Sequence, residues 1–200
     1  MLNVLYIHGL GSSSKSSTGQ LLTSQNNDKY TFFNHSFSLS PRKALEEVNQ
    51  FIKDNHIDMV IGSSLGGFYA LQSSCRYGIV INPALSPISD IKKAIGYGEH
   101  KSANGEGNYL IDDNFFKELE WIIRRNYKAL DLDKWYLEFD KKRIFGGIFG
   151  AQDELFSHYE DFHSINNDLV ILLGDMHHRF EKRYLAMLSV LLKALEEKIN

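Results

Sequence analysis

Short apolar runs alternate along the chain with longer segments in which apolar residues recur at helical spacing. Six runs predict β-strands: residues 2–7, 30–33, 57–61, 79–81, 144–149 and 169–173. Near-continuous apolar strands are typical of a parallel sheet that helices cover on both faces. The pattern therefore predicts an α/β fold with a mostly parallel central sheet of about six strands.

Helical segments lie between these runs. Ser40 followed by Pro41 is typical of an N-cap and a first helical position, and apolar residues follow at helical spacing. Further helices are predicted over residues 65–76 and, as a long amphipathic segment, over residues 180–199. Because parallel sheets carry their chemistry at the carboxyl ends of the strands, the residues that directly follow each strand are the candidates for a site.

The alternation breaks between residues 82 and 143, where the sequence contains no clear strand. Residues 88–95 predict a short helix, and residues 96–107, which are Gly-rich and polar, predict a mobile loop. A helix over residues 114–127 would be capped by Asp112 or Asp113. We therefore predict one domain, residues 1–200, with an insertion at about 84–142 of the kind that forms a lid.

Composition narrows the class of protein. A chain of 200 residues with 43% apolar residues suits one globular domain. A net charge of −3 without a Lys/Arg stripe gives no case for nucleic-acid binding. The one cysteine, Cys75, excludes an intrachain disulfide, and neither a signal peptide nor a membrane span is apparent. A cytoplasmic location is expected.

The segment G-S-S-L-G at residues 62–66 matches the pattern G-x-S-x-G. In α/β-hydrolases this pattern forms a sharp turn between a strand and a helix, which exposes the serine hydroxyl. Here it follows a predicted strand and precedes a predicted helix. Ser64 is therefore the candidate nucleophile, and the alternative is a structural Gly/Ser turn.

A serine hydroxyl is a weak nucleophile until a base takes its proton, and in this fold the triad order is serine, acid, histidine. Asp153 follows the fifth predicted strand, and His177 and His178 follow the sixth. Asp153 is the predicted acid, with Glu154 as the alternative, and either histidine could be the base. The non-catalytic alternatives are a solvated loop acid and a polar turn before the last helix.

The reaction also needs donors for the developing oxyanion. We expect the backbone N–H groups of Leu65 and Leu10 to supply them, since Gly9 lets the loop after the first strand approach closely. His8 is interpreted as a residue that supports this loop. Aromatic residues of the insertion are candidates for an acyl pocket, although such residues more often form a core: Tyr97, Tyr109, Phe115, Phe116, Trp121 and Tyr127.

Three segments together resemble the YqiA-type esterases, which are small bacterial α/β-hydrolases: Y-I-H-G-L-G-S-S at 6–13, G-S-S-L-G-G-F-Y-A at 62–70 and I-N-P-A at 81–84. D-E at 153–154 and H-R-F-E at 178–181 resemble the acid and histidine segments of that family. The resemblance implies hydrolysis of carboxylic esters or thioesters, with Ser64 as nucleophile, Asp153 as acid and His178 as base. It does not cover residues 86–142, and D-M-H at 175–177 stands where the family has a Gly-rich turn.

Two other classes of function compete with this one. G-L-G-S-S-S-K-S at 9–16 comes within one residue of a P-loop, with Ser14 where glycine is expected. However, the third strand ends without an acidic residue that could help to hold Mg²⁺. The second alternative is a non-catalytic binding protein on a hydrolase scaffold, since a fold does not fix a function.

No metal, flavin, nicotinamide or pyridoxal motif is present, so no cofactor is implied. A metal site at Asp175, His177 and His178 would lack a third strong ligand at a recognised spacing. The sequence therefore predicts a serine esterase or thioesterase that acts on a small-molecule acyl ester or thioester. It does not indicate the acyl length, the leaving group or the oligomeric state.

Overall fold

A computed structural model describes residues 1–102, 107–166 and 169–199. The strands are β1 (Leu2–Ile7), β2 (Tyr30–Asn34), β3 (Met59–Ser63), β4 (Tyr77–Ile81), β5 (Gly98–Lys101), β6 (Asn108–Ile111), β7 (Ile144–Gly150) and β8 (Val170–Leu173). The helices are α1 (Ser17–Thr23), α2 (Pro41–Asp54), α3 (Leu65–Gln72), α4 (Pro87–Ala94), α5 (Asp113–Asn126), α6 (Tyr159–Ile165) and α7 (Leu185–Ile199). Two 3-10 helices lie at Leu132–Glu138 and Lys182–Tyr184.

Six strands form one sheet in the order β2-β1-β3-β4-β7-β8, and every neighbouring pair is parallel. Alternate side chains of a strand reach opposite faces. Thus Leu5 packs with α2, α3 and α5, whereas Val4 packs with α1 and α7. The predicted α/β fold with a mostly parallel sheet covered on both faces is confirmed.

Four predicted boundaries are wrong by two to five residues: α3 ends at Gln72 rather than 76, β4 begins at Tyr77 rather than 79, and the other two concern β3 and the last helix. β3 begins at Met59 rather than 57, because the chain turns through His56 with φ of 49° before it enters the sheet. The last α-helix begins at Leu185 rather than 180. Phe180 is buried and the 3-10 turn that follows it changes the direction of the chain before α7.

The expectation that residues 82–143 contain no strand is wrong, and so is the expectation of a continuous loop over 96–107. β5 and β6 pair as an antiparallel hairpin, in which His100 lies opposite Tyr109 with their rings stacked at 5.6 Å. The sequence G-E-H-K of β5 has no apolar residue, so the apolar pattern could not indicate it. Residues 103–106 of the predicted loop lie outside the described residues.

The two helices predicted in the insertion are present as α4 and α5, whereas the 3-10 helix at Leu132–Glu138 was not predicted. Asp112 caps α5 by accepting the N–H of Phe115 at 2.9 Å. The buried indole of Trp135 donates to the carbonyl of Leu85 and meets the ring of Phe68 edge-on at 5.6 Å. Within the described parts of the chain, we find no helix with the length and apolar character to cross a membrane.

Candidate active site

Ser64 occupies a strained turn between β3 and α3. Its backbone has φ of 55° and ψ of −126°, a left-handed conformation that costs free energy for a non-glycine residue. The turn is held in place because the N–H of Ser64 donates to the carbonyl of Ile81 at 3.0 Å and its own carbonyl accepts the N–H of Ala84 at 3.1 Å. The hydroxyl is thereby presented at the carboxyl edge of the sheet.

Two glycines make this turn possible by allowing backbones to touch. A methyl group on Gly66 would overlap the carbonyls of Ile7 and His8. A methyl group on Gly9 would lie 3.1 Å from Cβ of Ser64 and 3.5 Å from its Oγ. The loop after β1 therefore lies directly against the serine.

Asp153 and His178 form an ion pair next to this turn. Both carboxylate oxygens of Asp153 lie 3.0 Å from Nδ1 of His178, and the two side chains are 3% and 13% exposed. Oδ1 of Asp153 also accepts the N–H groups of Leu155 and Phe156, and the Phe156 ring meets the imidazole edge-on at 5.0 Å. Because a carboxylate only accepts, Nδ1 carries the proton, and in the neutral ring Nε2 keeps its lone pair.

Ser64 and His178 line one cavity of about 290 Å³, here called the Ser64 cavity. The cavity is lined by Tyr6, Gly9, Leu10, Ser12, Ser16, Ser17, Thr18, Ser63, Ser64, Ile95, Leu155, Phe156, His178, Arg179 and Phe180. Burial raises the pKa of Tyr6, whose hydroxyl shares a 2.7 Å hydrogen bond with Oγ of Ser63. The structure therefore brings to one cavity a serine and a histidine whose ring is paired with a buried carboxylate.

Two larger cavities, of about 320 and 460 Å³, lie around Arg143 at the start of β7. None of the described residues that line them is a serine, cysteine or histidine. They offer no nucleophile and base, and they lie at the opposite end of the strands from Ser64.

The alternative acid and base, Glu154 and His177, form a separate pair on the surface. Nδ1 of His177 lies 3.4 Å from Oε2 of Glu154, and both side chains are 58% exposed. Hydrogen bonds from its own backbone N–H and from that of His178 lower the pKa of Glu154. Neither residue is among the described lining of the Ser64 cavity.

The side chains of Asp175, His177 and His178 do not converge on a common point. Asp175 binds Arg183 at 2.8 Å, His177 faces Glu154, and His178 faces Asp153. No group of three His, Cys, Asp or Glu side chains in the described chain is arranged to hold a metal ion.

The backbone positions expected to bind an oxyanion flank Ser64. Leu65 is the first residue of α3, where an N–H has no partner within the helix. Leu10 lines the Ser64 cavity. His8 supports the loop after β1, which carries Leu10. Its Nδ1 donates to the carbonyl of Gly9 at 3.0 Å, and its Nε2 accepts the N–H of Phe37 at 3.3 Å.

Asn82 connects the segments that carry Asp153 and His178. It is 2% exposed, has φ of 42° and directly follows β4. Its Nδ2 donates to the carbonyls of His177 and His178 at 2.9 and 3.1 Å, and its Oδ1 accepts the N–H of Gly150 at 2.8 Å. One amide thus holds the histidine loop against the end of the strand that leads to Asp153. The sequence contains N-P at 82–83, but nothing in the pattern indicates these hydrogen bonds.

None of the six insertion aromatics named as pocket candidates is among the described residues that line the Ser64 cavity. Trp121 lies on α5 between Arg42 and Arg125, and Tyr97 packs on Phe116 at 5.0 Å. Tyr109 comes closer, because its ring lies against Gly11 of the loop after β1. The insertion reaches the cavity through Ile95 instead, and sequence reasoning missed this residue.

The segment that resembles a P-loop does not present its N–H groups to a common point. The N–H of Ser14 donates to Oγ of Ser36 at 2.9 Å, and the N–H of Lys15 donates to Oγ of Ser13 at 3.2 Å. A phosphate-binding loop would direct such groups at the ligand. The geometry therefore disfavours nucleotide binding in this loop.

Comparison with known proteins identifies the family of the chain and solved structures that share its fold. A family model described as "Uncharacterised protein family (UPF0227)" matches residues 3–182. Alpha/beta hydrolase domain-containing protein 10 from mouse is 18% identical, with a TM-score of 0.70 over 99% of this chain and 90% of that chain.

Two further solved structures have the same fold. Est1E from Butyrivibrio proteoclasticus is 14% identical, with a TM-score of 0.68 over 100% of this chain and 89% of that chain. Fluorophosphonate-binding serine hydrolase F from Staphylococcus aureus is 12% identical, with a TM-score of 0.57 over 100% of this chain and 84% of that chain. At these identities the likeness establishes the α/β-hydrolase fold.

Proposed function

The chain belongs to the uncharacterised protein family UPF0227, which is the YqiA-like family that its motifs resemble. From this premise we propose that the protein is a serine hydrolase that cleaves small carboxylic esters or thioesters. The observation that carries the proposal is the Asp153–His178 pair, whose histidine lines the cavity that also contains Ser64. The strained turn at Ser64 is a second observation that supports the proposal.

In the proposed reaction, Nε2 of His178 takes the proton of the Ser64 hydroxyl while Oγ attacks the acyl carbonyl. The N–H groups of Leu65 and Leu10 stabilise the oxyanion. The C–O or C–S bond then breaks, and His178 protonates the leaving alcohol or thiol. Asp153 holds the imidazole in the required tautomer and stabilises its cationic form.

Water completes the cycle. His178 takes a proton from a water molecule that attacks the acyl-enzyme, the bond between Ser64 Oγ and the acyl carbon breaks, and the proton returns to Ser64. The net reaction converts one ester and one water into one acid and one alcohol. No cofactor enters this sequence of steps.

In this proposal the insertion at 84–142 acts as a lid on a single domain. Ile95, just after α4, lines the Ser64 cavity. Oγ of Ser102 donates to the carbonyl of Gly11 at 3.0 Å, and the ring of Tyr109 lies on the same glycine. The insertion is thus attached to the loop that carries Leu10, so its position would affect both substrate entry and the oxyanion donors.

Labelling with a fluorophosphonate tests the nucleophile, because these probes react with an activated serine hydroxyl. The wild-type protein should label at Ser64, and Ser64→Ala should abolish labelling. Ser63→Ala is the matched control, since Ser63 lines the same cavity but belongs to β3; it should still label. A folded wild-type protein that does not label would favour a non-catalytic binding protein on this scaffold.

A panel of p-nitrophenyl esters and acyl thioesters of increasing chain length tests the substrate class. Cavities of roughly 300 Å³ lie at the lower limit of small-molecule sites, so short acyl groups should give the highest kcat/KM. Steadily increasing kcat/KM up to long acyl chains would contradict the assignment to small substrates.

A further inference from the structure

The Ser64 cavity has two kinds of lining residue. Hydroxyl groups form one part of it: Tyr6, Ser12, Ser16, Ser17, Thr18 and Ser63. Apolar side chains form another: Leu10, Ile95, Leu155, Phe156 and Phe180. Four of these hydroxyls already have partners in the protein, because Tyr6 and Ser63 share a hydrogen bond, Ser16 accepts the N–H of Gly19, and Thr18 donates to the carbonyl of Phe180. The hydroxyls of Ser12 and Ser17 remain for a ligand, so the lining suits a substrate that has an apolar part and also acceptor oxygens.

Arg179 adds a positive charge to this cavity. It follows His178 directly and lines the cavity with an exposed side chain. The acids nearby have other partners: Asp175 and Glu181 bind Arg183, Asp153 binds the His178 ring, and Glu154 faces His177. Arg179 itself forms no ion pair with any residue of the described chain. Because the whole protein carries a net charge of −3, attraction for an anion here has to be local.

The chemistry indicates which end of the substrate lies beside Arg179. His178 protonates the leaving oxygen in the proposed reaction, so the leaving alcohol lies on the histidine side of the carbonyl. Arg179 is the next residue in the chain. An anionic group on the alcohol would then be within reach of the guanidinium, while the acyl group packs on the apolar residues.

We propose that the substrates are short-chain acyl esters of small alcohols that carry a carboxylate or a phosphate, and that Arg179 binds this anion. This inference depends on the proposed hydrolase function and specifies its substrate. A guanidinium matches the planar carboxylate and the phosphate equally well, so the anion is named by its charge and oxygen acceptors.

Hydrolysis of a matched pair of esters tests the proposal. The probes are 4-acetoxybenzoate, whose leaving phenol is anionic, its neutral methyl ester, and 4-acetoxyphenyl phosphate as the phosphate arm. The measured quantity is the ratio of kcat/KM for each anionic ester to that for the neutral ester. Comparing this ratio between wild type and Arg179→Gln removes the intrinsic reactivity of the esters, because each enzyme meets the same probes.

We expect the ratio to fall by about tenfold or more in Arg179→Gln, as is typical for loss of one charge-assisted contact. Arg179→Lys should give a ratio between those of wild type and Arg179→Gln, because lysine keeps the charge but lacks the planar pair of N–H donors. Arg183→Gln is the matched control, since Arg183 is exposed but occupied by Asp175 and Glu181; it should keep the wild-type ratio. A larger fall for one of the two anionic arms identifies carboxylate or phosphate as the natural group.

Equal ratios in wild type and Arg179→Gln, with the neutral ester still hydrolysed and Ser64 still labelled by a fluorophosphonate, would overturn the anionic substrate class alone. If neither ester is hydrolysed and Ser64 does not label, the proposed hydrolase function fails, and this inference fails with it. Thermal unfolding of each variant establishes that the comparison is between folded proteins.

Discussion

The side-chain amide of Asn82 donates a hydrogen bond to the backbone carbonyl of His178, over 3.1 Å and across 96 positions in the chain. The same amide nitrogen binds the carbonyl of His177, and the amide oxygen accepts the N–H of Gly150. A carboxylate cannot make the two donated bonds, because it has acceptors only. Asn82 is therefore positioned to set the place of the candidate base without touching a substrate.

Asn82→Asp should lower kcat/KM by about 10- to 100-fold, the loss expected when a catalytic group is displaced by an ångström or less. The acidic limb of the pH–rate profile should also move to higher pH, because a buried negative charge beside an imidazole favours the protonated ring. Steady-state kinetics across a pH series measures both effects.

Asn3→Asp is the matched control for this substitution. Nδ2 of Asn3 also donates to two successive carbonyls, those of Asn55 and His56, each at 3.2 Å, at the opposite end of the sheet. Both variants should lose stability, but only Asn82→Asp should move the acidic limb of the pH–rate profile to higher pH. If the two variants change the pH–rate profile alike, Asn82 has a structural role only.

Two acid–histidine pairs lie side by side, Asp153 with His178 and Glu154 with His177. Substitution of each residue should show which pair takes part in catalysis. Asp153→Asn should lower kcat by about three to four orders of magnitude, as loss of the triad carboxylate does in serine proteases. His178→Gln should be at least as damaging. Glu154→Gln and His177→Gln should stay within about twofold, because changes to exposed groups away from the cavity are generally mild. Inactive Glu154→Gln or His177→Gln variants would assign the triad to the surface pair instead.

Gly66 should tolerate no side chain. In Gly66→Ala the added methyl group would overlap the carbonyls of Ile7 and His8, and such overpacking costs about 1–3 kcal/mol of stability. Urea unfolding measures the loss. Gly174→Ala is the control, because no atom lies within 4 Å of a methyl group there. Equal stability of both variants would contradict the close contact between α3 and the loop after β1.

His158 should make the stability of the protein depend on pH. Although burial alone would lower its pKa, the carboxylates of Asp90 and Asp161, at 2.8 and 2.9 Å, raise the pKa above its ordinary value. A raised pKa in the folded state means that this contribution is complete below the unfolded value of about 6.5 and is lost as the pH rises through the folded value.

The free energy of unfolding of wild type should therefore exceed that of His158→Gln most at pH 5 to 6, and the difference should shrink as the pH is raised. Urea unfolding at several pH values measures it. Asp90→Asn should weaken the pH dependence, because Asp90 on α4 is one of the two partners. A difference that stays constant over this pH range would contradict the interpretation.

Much of the fold follows from local patterns. Central strands such as β3 are buried on both faces, so their residues are continuously apolar and easy to recognise. Each candidate triad residue follows a strand, and parallel topology places the carboxyl ends of strands at one edge. The strand ends therefore indicated Ser64, Asp153 and one of His177 and His178, and the family resemblance favoured His178.

Other features depend on tertiary contacts that leave no local signal. β5 carries only Gly, Glu, His and Lys, and it is a strand because β6 pairs with it. The aromatic residues of the insertion were predicted as pocket candidates from type alone, but Trp121 packs between two arginines. The roles assigned to Asn82 and Arg179 could be recognised only from the structure, because they depend on contacts between loops that are far apart in the chain.

The central claim is that the Ser64 hydroxyl becomes covalently acylated during turnover. Rapid mixing with p-nitrophenyl acetate, followed by acid quench and peptide mass spectrometry, tests it most directly. The account predicts a burst of p-nitrophenolate and one acetyl group on the peptide that contains Ser64, with neither observed in His178→Gln. Steady hydrolysis by wild type with no acetylated Ser64 peptide at any time would contradict it.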